Sequence, residues 1–427
     1  MPKGDSKGKG SRGKRGQQPR KRGRRGGEDS DEEDFENQSV ASHASTTDTH
    51  SAEEADGFDE GAEEDIEDDF EHILAENIDG ATQKSSKGRQ SALVAVQKAL
   101  KSRIIGEFIL DRKMTILDFI EKCVKKGTTE DRVLASSIAA LLCVQLGAGT
   151  ESQHVFKTLK PYLITVIQDK TAMPVARSSC ATALSVCCFI ANEDADELFE
   201  CLSTLEAIFD SKKTVKADEV RLYCGILLAW ALLLSVTPPP EAYTLINKHL
   251  RRMKFLLETS DLNVRIAAGE ILALMYEMGR DINADFVGDN NGLCDLLRDL
   301  ATDGNKHKAK KDLRQQRSSF RDILRTVEDG VSPDEVVRFG TESFALHSWV
   351  QRRQYSALKE ILGTGVTIHL QENDLLREIF DLGPQVKSSE VHRCSRYERQ
   401  LYNNAASKAR TVARAKNRDK RNASIMY

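Results

Sequence analysis

The sequence predicts an all-α fold, a solenoid of stacked helical repeats, and three observations support this. From residue 85 onward, apolar residues recur at helical spacing over long segments. Five of these segments share one pattern, and the spacings between their leading arginines are 43, 45, 44 and 44 residues. Glycine and proline stand between the segments, where a chain of short helices needs turns.

Each repeat begins with an arginine, followed by a small residue three positions later and an apolar residue seven positions later, on one helix face. The arginines are Arg89, Arg132, Arg177, Arg221 and Arg265. A period of this length is typical of HEAT and armadillo repeats, whose helices bury their apolar faces only by stacking. The arginines could form a phosphate-binding ladder, but the pattern favours hydrogen bonds to helix ends or to acids of the next repeat.

The N-terminal residues cannot form a core by themselves. Between Lys3 and Arg25 there are eleven Lys/Arg and one acid, and residues 28–71 contain twenty Asp/Glu and no Lys or Arg. Segments of this kind stay disordered because they lack apolar side chains. Solubilising tails are the simplest interpretation; a nuclear import signal or a weak Arg-Gly contact with RNA are the alternatives.

The remaining composition argues against several classes of protein. The nine cysteines are scattered without a CxxC pair, which indicates buried reduced thiols in a cytosolic or nuclear protein. The N-terminus has no apolar leader, and the apolar run from Leu222 to Val236 is too short for a membrane span and predicts a core helix. Phosphate loops, metal-ligand spacings and nucleophile motifs are all missing. We therefore expect neither an enzyme nor a cofactor, metal or small-molecule site.

Two basic elements follow the repeats. Residues 306–325 predict a helix on which Lys310, Arg314, Arg317, Arg321 and Arg325 form one narrow stripe. Apolar side chains occupy the other side, so the helix can dock on the solenoid and present its cations outward; these are Leu313, Phe320, Ile323, Leu324 and Val327. Stacked like charges are unfavourable in a helix, which favours a polyanionic partner over an ordinary solvated face.

The second basic element is the C-terminal tail. Residues 393–422 contain ten Lys/Arg and two acids, and from Lys408 onward the cations surround the predicted helix. A rod charged on all sides suits a channel lined with phosphates, whereas a protein groove or a membrane would favour one apolar face. The alternative is a flexible basic tail that serves as an import signal. Together the two elements give these predicted nucleic-acid contacts: Lys306, Lys308, Lys310, Lys311, Arg314, Arg317, Arg321, Arg325, Lys408, Arg410, Arg414, Lys416, Arg418, Lys420 and Arg421.

Several segments closely resemble the interferon-related developmental regulator family. They are residues 176–191, 263–274, 301–328, 362–384 and 396–421, and the resemblance covers nearly all of residues 80–422. It implies an α-solenoid that binds the ribosome across its exit and peptidyl tRNA sites, with the C-terminal helix in the mRNA exit path, so that translation is blocked. It also implies an alternative role as a nuclear transcriptional co-regulator. Ser407 and Val412 depart from the family pattern, which has a bulky aromatic residue and a lysine there.

The sequence therefore predicts four segments: a disordered arm at 1–84, HEAT/armadillo-like repeats at 85–300, a basic-stripe helix with further packed helices at 301–390, and a basic helical tail at 391–427. The leading hypothesis is a monomeric translation repressor that binds ribosomal RNA. The alternative is a scaffold whose concave solenoid surface binds corepressor or deacetylase complexes. We expect cytoplasmic and nuclear localisation and no membrane partner.

Overall fold

The computed structural model describes residues 60–210, 215–288, 292–304 and 309–385, with side chains from residue 69 onward. The predicted RNA contacts Lys306 and Lys308 lie outside these residues. So do the arm before residue 60 and all the predicted contacts of the tail, from Lys408 to Arg421.

Two alternating sets of helices form the repeats. The first helices are α2 (Ser86–Ser102), α4 (Thr129–Leu146), α6 (Pro174–Ala191), α8 (Val220–Leu234), α10 (Leu262–Ile282) and α12 (Lys310–Asp329). The second helices are α3 (Gly106–Lys126), α5 (Thr150–Gln168), α7 (Ala195–Asp210), α9 (Pro239–Leu256) and α11 (Leu293–Thr302). Helix α1 (Glu60–Gly80) precedes them, and β1 (Glu335–Phe339), β2 (Glu342–Leu346), α13 (Trp349–Leu362), α14 (Val366–Glu372) and α15 (Asp374–Ile379) follow them.

The first helices pack side by side in chain order, from α2 through α12. Helix α8 is the apolar run that the sequence predicts as a core helix, and Trp230 and Ile226 within it are 0% exposed. Among the described helices, α6 is long and apolar enough to cross a membrane, but most of its residues are buried between its neighbours. Stacking of apolar helix faces therefore forms the core, and the predicted all-α solenoid is confirmed.

In four of the five repeats, the leading arginine makes the predicted hydrogen bond to a helix end. Each of the four donates to a carbonyl near the end of the preceding helix; the acceptors are Gln83 for Arg89, Lys125 for Arg132, Ile167 for Arg177 and Thr259 for Arg265. Arg89 also pairs with Asp131 of the next repeat. Carbonyls at a helix end lack a partner within the helix, so a guanidinium fork satisfies them at the joint between repeats. Arg221 is exposed.

Helix α1 lies within the range that the sequence assigns to the disordered arm. It packs on α2 and α3 through Phe70, Leu74 and Ile78, and the last two are 3% and 1% exposed. Spacings of four residues place the three side chains on one helix face. The arm is therefore shorter than residues 1–84, because this apolar stripe is sufficient for docking although acids surround it.

A β-hairpin replaces helix in part of the segment that was predicted to contain only packed helices. Strand β1 pairs antiparallel with β2, from Glu335 opposite Leu346 to Phe339 opposite Glu342. Phe339 and Leu346 are 2% and 0% exposed and turn toward the core. In strands of five residues, apolar and polar residues alternate too few times to be recognised among neighbouring helices.

After the hairpin, the chain turns back along the first helices. Helix α13 packs on α10, α8, α6 and α4, and the turn at Gly363–Gly365 reaches α2. Gly365 lies so close to α2 that a Cβ atom there would be 1.9 Å from the Lys101 carbonyl oxygen. We call residues 349–379 the strap. The strap joins the last repeats to the first across the face that the first helices present.

Candidate nucleic-acid interface

Helix α12 is the sixth first helix, so the basic stripe belongs to the repeat stack itself. It packs on α10 and α11 through Leu313, Phe320, Ile323 and Val327, which are at most 9% exposed. On α10, Gly269 makes room for this contact, since a Cβ there would be 2.7 Å from Ile323 Cδ1. The predicted docking of the apolar side is confirmed.

The other side of α12 carries the cations. Lys310, Lys311, Arg314, Arg321 and Arg325 are exposed, and among the described residues none of them has a hydrogen bond or an ion pair. The helix therefore presents five unpaired cations to solvent along about four turns.

Arg317 differs from its neighbours. It is half-buried, and its Nε donates to the Asp303 carbonyl oxygen at 2.8 Å. This bond ties α12 to the end of α11, so part of the side chain is used for structure.

One polar side chain that holds the stripe in place is not among the residues predicted from the sequence. Gln316 is 1% exposed, accepts a hydrogen bond from Arg265 Nη2 at 2.8 Å and donates to the Leu300 carbonyl at 3.1 Å. On the helical wheel it falls at about 240° from Lys310, inside the apolar side. A lone glutamine on that side was the available signal.

The cations of α12 do not stabilise the helix itself. Lys310 and Lys311 stand in the first turn, where the helix dipole is positive and destabilises cations. Burial raises the pKa of Asp322 above its usual value, although the guanidinium groups of Arg352 and Arg325 oppose this effect. Helix α12 carries six Lys/Arg and four Asp/Glu, so its net charge is positive. A surface of this kind gains most from a partner that supplies closely spaced negative charges.

The first residue of the strap contacts the C-terminal end of α12. The indole Nε1 of Trp349 donates to Thr326 Oγ1 at 2.8 Å. Glu277 of α10 accepts the backbone N–H groups of Trp349 and Val350 at 2.9 and 3.1 Å, and so satisfies the first turn of α13. These bonds fix the start of the strap beside the basic helix.

At the far end, buried polar groups fix the strap on the first two repeats. His369 Nε2 lies 3.2 Å from the Leu100 carbonyl oxygen, and Asn373 Nδ2 donates to the Val144 carbonyl at 3.0 Å. Burial lowers the pKa of His369 to about 4, so the imidazole is neutral at neutral pH and can accept from Asn373 while it donates to Leu100. No pattern in the sequence indicates this contact.

Part of the first-helix face remains open beside the strap. A polar groove with a volume of about 490 Å³ runs between α13 and the N-terminal halves of α4, α6 and α8. Its walls include Ser137, Ser179, Thr182, Arg221 and Glu360. Among the described residues, no cluster of three or more His, Cys, Asp or Glu side chains could hold a metal ion. The groove offers hydrogen bonds but little net charge.

Comparison with known proteins identifies the family. The model described as Interferon-related developmental regulator matches residues 38–328, and the model described as Interferon-related protein conserved region matches residues 373–422. The chain belongs to the interferon-related developmental regulator family. The resemblance seen in the sequence is thereby confirmed, and α12 and the end of the strap lie within the matched ranges.

Individual members of the family are similar over most of their length. Interferon-related developmental regulator 1 of Sus scrofa is 47% identical over 372 residues, which are 84% of this chain and 83% of that protein. Interferon-related developmental regulator 2 of Mus musculus is 44% identical over 372 residues, 84% of each chain. A designed armadillo repeat protein aligns with 59% of this chain and 99% of its own at 14% identity, but its TM-score of 0.36 is too low to bear on the fold.

Proposed function

We propose that this family member binds ribosomal RNA and represses translation by occupying the ribosome. The observation that supports this most directly is the row of exposed, unpaired cations on α12. A rigid helix that is docked on one side and charged on the other presents its cations in fixed positions, so binding a phosphate backbone needs little ordering. The solenoid supplies the shape that positions this row.

The finer part of the proposal concerns where the chain lies on the ribosome. We place it across the exit and peptidyl tRNA sites, with residues 391–427 in the mRNA exit path. The support is the sequence of the tail, in which cations from Lys408 to Arg421 surround a predicted helix. In this arrangement the tail blocks the mRNA path, while α12 contributes binding energy outside it.

Charge reversal on α12 tests the RNA-binding face. The triple variant Arg314→Glu, Arg321→Glu, Arg325→Glu is expected to lower the affinity for ribosomes at least about a hundredfold, since three charge-assisted contacts become repulsive. Affinity is measured by co-sedimentation at fixed salt, and inhibition by cell-free translation. Arg317 is left unchanged because its bond to Asp303 is structural.

A matched control distinguishes the loss of the α12 cations from the change in net charge. Lys98 on α2, Lys157 on α5 and Lys170 in the turn after α5 are exposed, so their reversal to Glu changes the total charge equally. We expect this control to retain ribosome binding. Equal losses in the two triple variants would contradict a specific role for α12.

Deletion of residues 393–427 tests the placement of the tail. We expect the truncated chain to lose inhibition of translation and to bind ribosomes more weakly, because ten cations are removed together with the predicted rod. Unchanged inhibition after this deletion would exclude the mRNA exit path as the site of action.

A second candidate is a scaffold for corepressor complexes in the nucleus, and the polar groove beside the strap favours it. Under this hypothesis the α12 triple variant keeps its protein partner while it loses ribosomes. The strap restricts this candidate, because it covers the middle of the first-helix face and leaves the groove open beside it.

A further inference from the structure

The loop between α12 and β1 contains a serine followed by proline. The whole chain has two Ser/Thr-Pro steps, Thr237-Pro238 and Ser332-Pro333. Ser332 lies in an irregular segment and is half-buried, and its neighbours Gly330, Val331 and Asp334 are exposed. The residue before a proline is held in an extended conformation, which is the form in which protein kinases bind their substrates.

The Ser332 hydroxyl is joined to the anchor of the strap. Its Oγ donates to Glu277 Oε2, the same carboxylate that accepts the N–H groups of Trp349 and Val350. One side chain of α10 therefore holds both the loop and the first turn of α13. Any change that places negative charge on Ser332 acts directly on this carboxylate.

A phosphate at this position would reverse the interaction. The hydroxyl donor would be replaced by a group with nearly two negative charges beside the Glu277 carboxylate, and like charges at contact distance repel strongly in a half-buried site. Arg280, one turn further along α10, lies beside the loop at Gly330, but its two Nη atoms already donate to the carbonyls of Thr326 and Val327. It could pair with the phosphate only by releasing the end of α12.

We infer that Ser332 is a phosphorylation site for a proline-directed serine/threonine kinase and that its phosphate releases the N-terminal end of the strap from α10. In the reaction, Ser332 Oγ attacks the γ-phosphorus of ATP, the bond to the bridging oxygen breaks, ADP leaves, and the hydroxyl proton passes to the kinase base. The far end of the strap stays attached through His369 and Asn373. Release therefore frees the first turn of α13 from α10.

The second Ser/Thr-Pro step provides an internal control. Thr237 is 6% exposed, and its Oγ1 donates to the Leu233 carbonyl at 2.9 Å at the end of α8. A kinase acting on the folded chain has no access to this hydroxyl. Modification of Ser332 without Thr237 is thus the result that the structure predicts.

The test uses the full chain, ATP and a proline-directed kinase, with phosphosites read by mass spectrometry and strap opening by amide hydrogen exchange. We expect phosphate on Ser332 alone, and exchange at Trp349 and Val350 faster by about tenfold or more, with α4 and α6 unchanged. Absence of phosphate on Ser332, equal phosphate on Thr237, or unchanged exchange at the start of α13 would each overturn the inference.

Two variants separate charge from loss of a hydrogen bond. Ser332→Ala removes the bond without adding charge and is expected to change exchange at Trp349 by less than about threefold, as for the loss of one partly exposed hydrogen bond. Glu277→Gln keeps an acceptor but removes the negative charge, so phosphorylation of Ser332 should open the strap less in this background. An equal effect of the phosphate with and without Glu277→Gln contradicts the repulsion. Neither readout depends on ribosome binding.

Discussion

Ribosome affinity is expected to fall about a thousandfold between about 50 mM and 200 mM salt, since six or more phosphate contacts release that many counterions on binding. Helix α12 alone presents Lys310, Lys311, Arg314, Arg321 and Arg325 to solvent. Together with the cations of the tail, the proposed interface offers more than six such contacts. Sedimentation with ribosomes at several salt concentrations gives the slope of log affinity against log salt.

The slope also tests which cations take part. Each α12 cation that contacts a phosphate should lower the slope by about one unit when it is replaced by a neutral residue. Arg314→Gln, Arg321→Gln and Arg325→Gln are therefore expected to act in steps, whereas Lys98→Gln leaves the slope as it is. A shallow slope in the unmodified chain would show that phosphate contacts are not the main source of affinity.

Replacing Arg377 with Met is expected to lower the free energy of unfolding by about 3–5 kcal/mol, because it leaves the half-buried Glu342 carboxylate and several carbonyls without their donor. Arg377 is 3% exposed and pairs through both Nη atoms with Glu342 of β2, at 3.2 and 2.9 Å. It also donates to five backbone carbonyls, those of Leu370, Gln371, Leu382, Gly383 and Pro384. One guanidinium thus joins the hairpin to the end of the strap.

Chemical denaturation of the full chain measures this loss. Arg338→Met on β1 is the matched control: Arg338 is exposed and has no hydrogen bond or ion pair among the described residues, so we expect a change within about 0.5 kcal/mol. Arg377→Lys should recover little, since an ammonium group cannot reach the same acceptors with a planar fork. A loss below about 1 kcal/mol for Arg377→Met would show that surrounding groups or water replace the guanidinium.

The sequence predicted the structure correctly where residue types recur at regular spacing along the chain. The spacing of Arg89, Arg132 and Arg177 predicted the period of the repeats, and the structure places these arginines at the joints between helices. The helical wheel of α12 separated its docked side from its charged side, except at Arg317, which is half-buried and donates to Asp303. Both predictions rest on the helical period of about 3.6 residues, which is written directly in the order of residue types.

Other features could not be predicted because local composition conflicts with them. Helix α1 is surrounded by acids, yet Leu74 and Ile78 bury it on α2 and α3. The hairpin from Glu335 to Leu346 is too short for its alternation to stand out. In each case a few buried contacts outweigh the average character of the segment, as tertiary packing often does.

By itself, the sequence determined the repeated helices, their stacking and the charged side of α12, because each follows from which side chains recur on one helix face. Only the tertiary structure decided the route of the strap, the burial of Gln316 and Arg377, and the joint held by Glu277. These contacts link residues as far as 269 positions apart, such as His369 and Leu100. Partners at that separation leave no periodic trace, so the stack itself has to form before they meet.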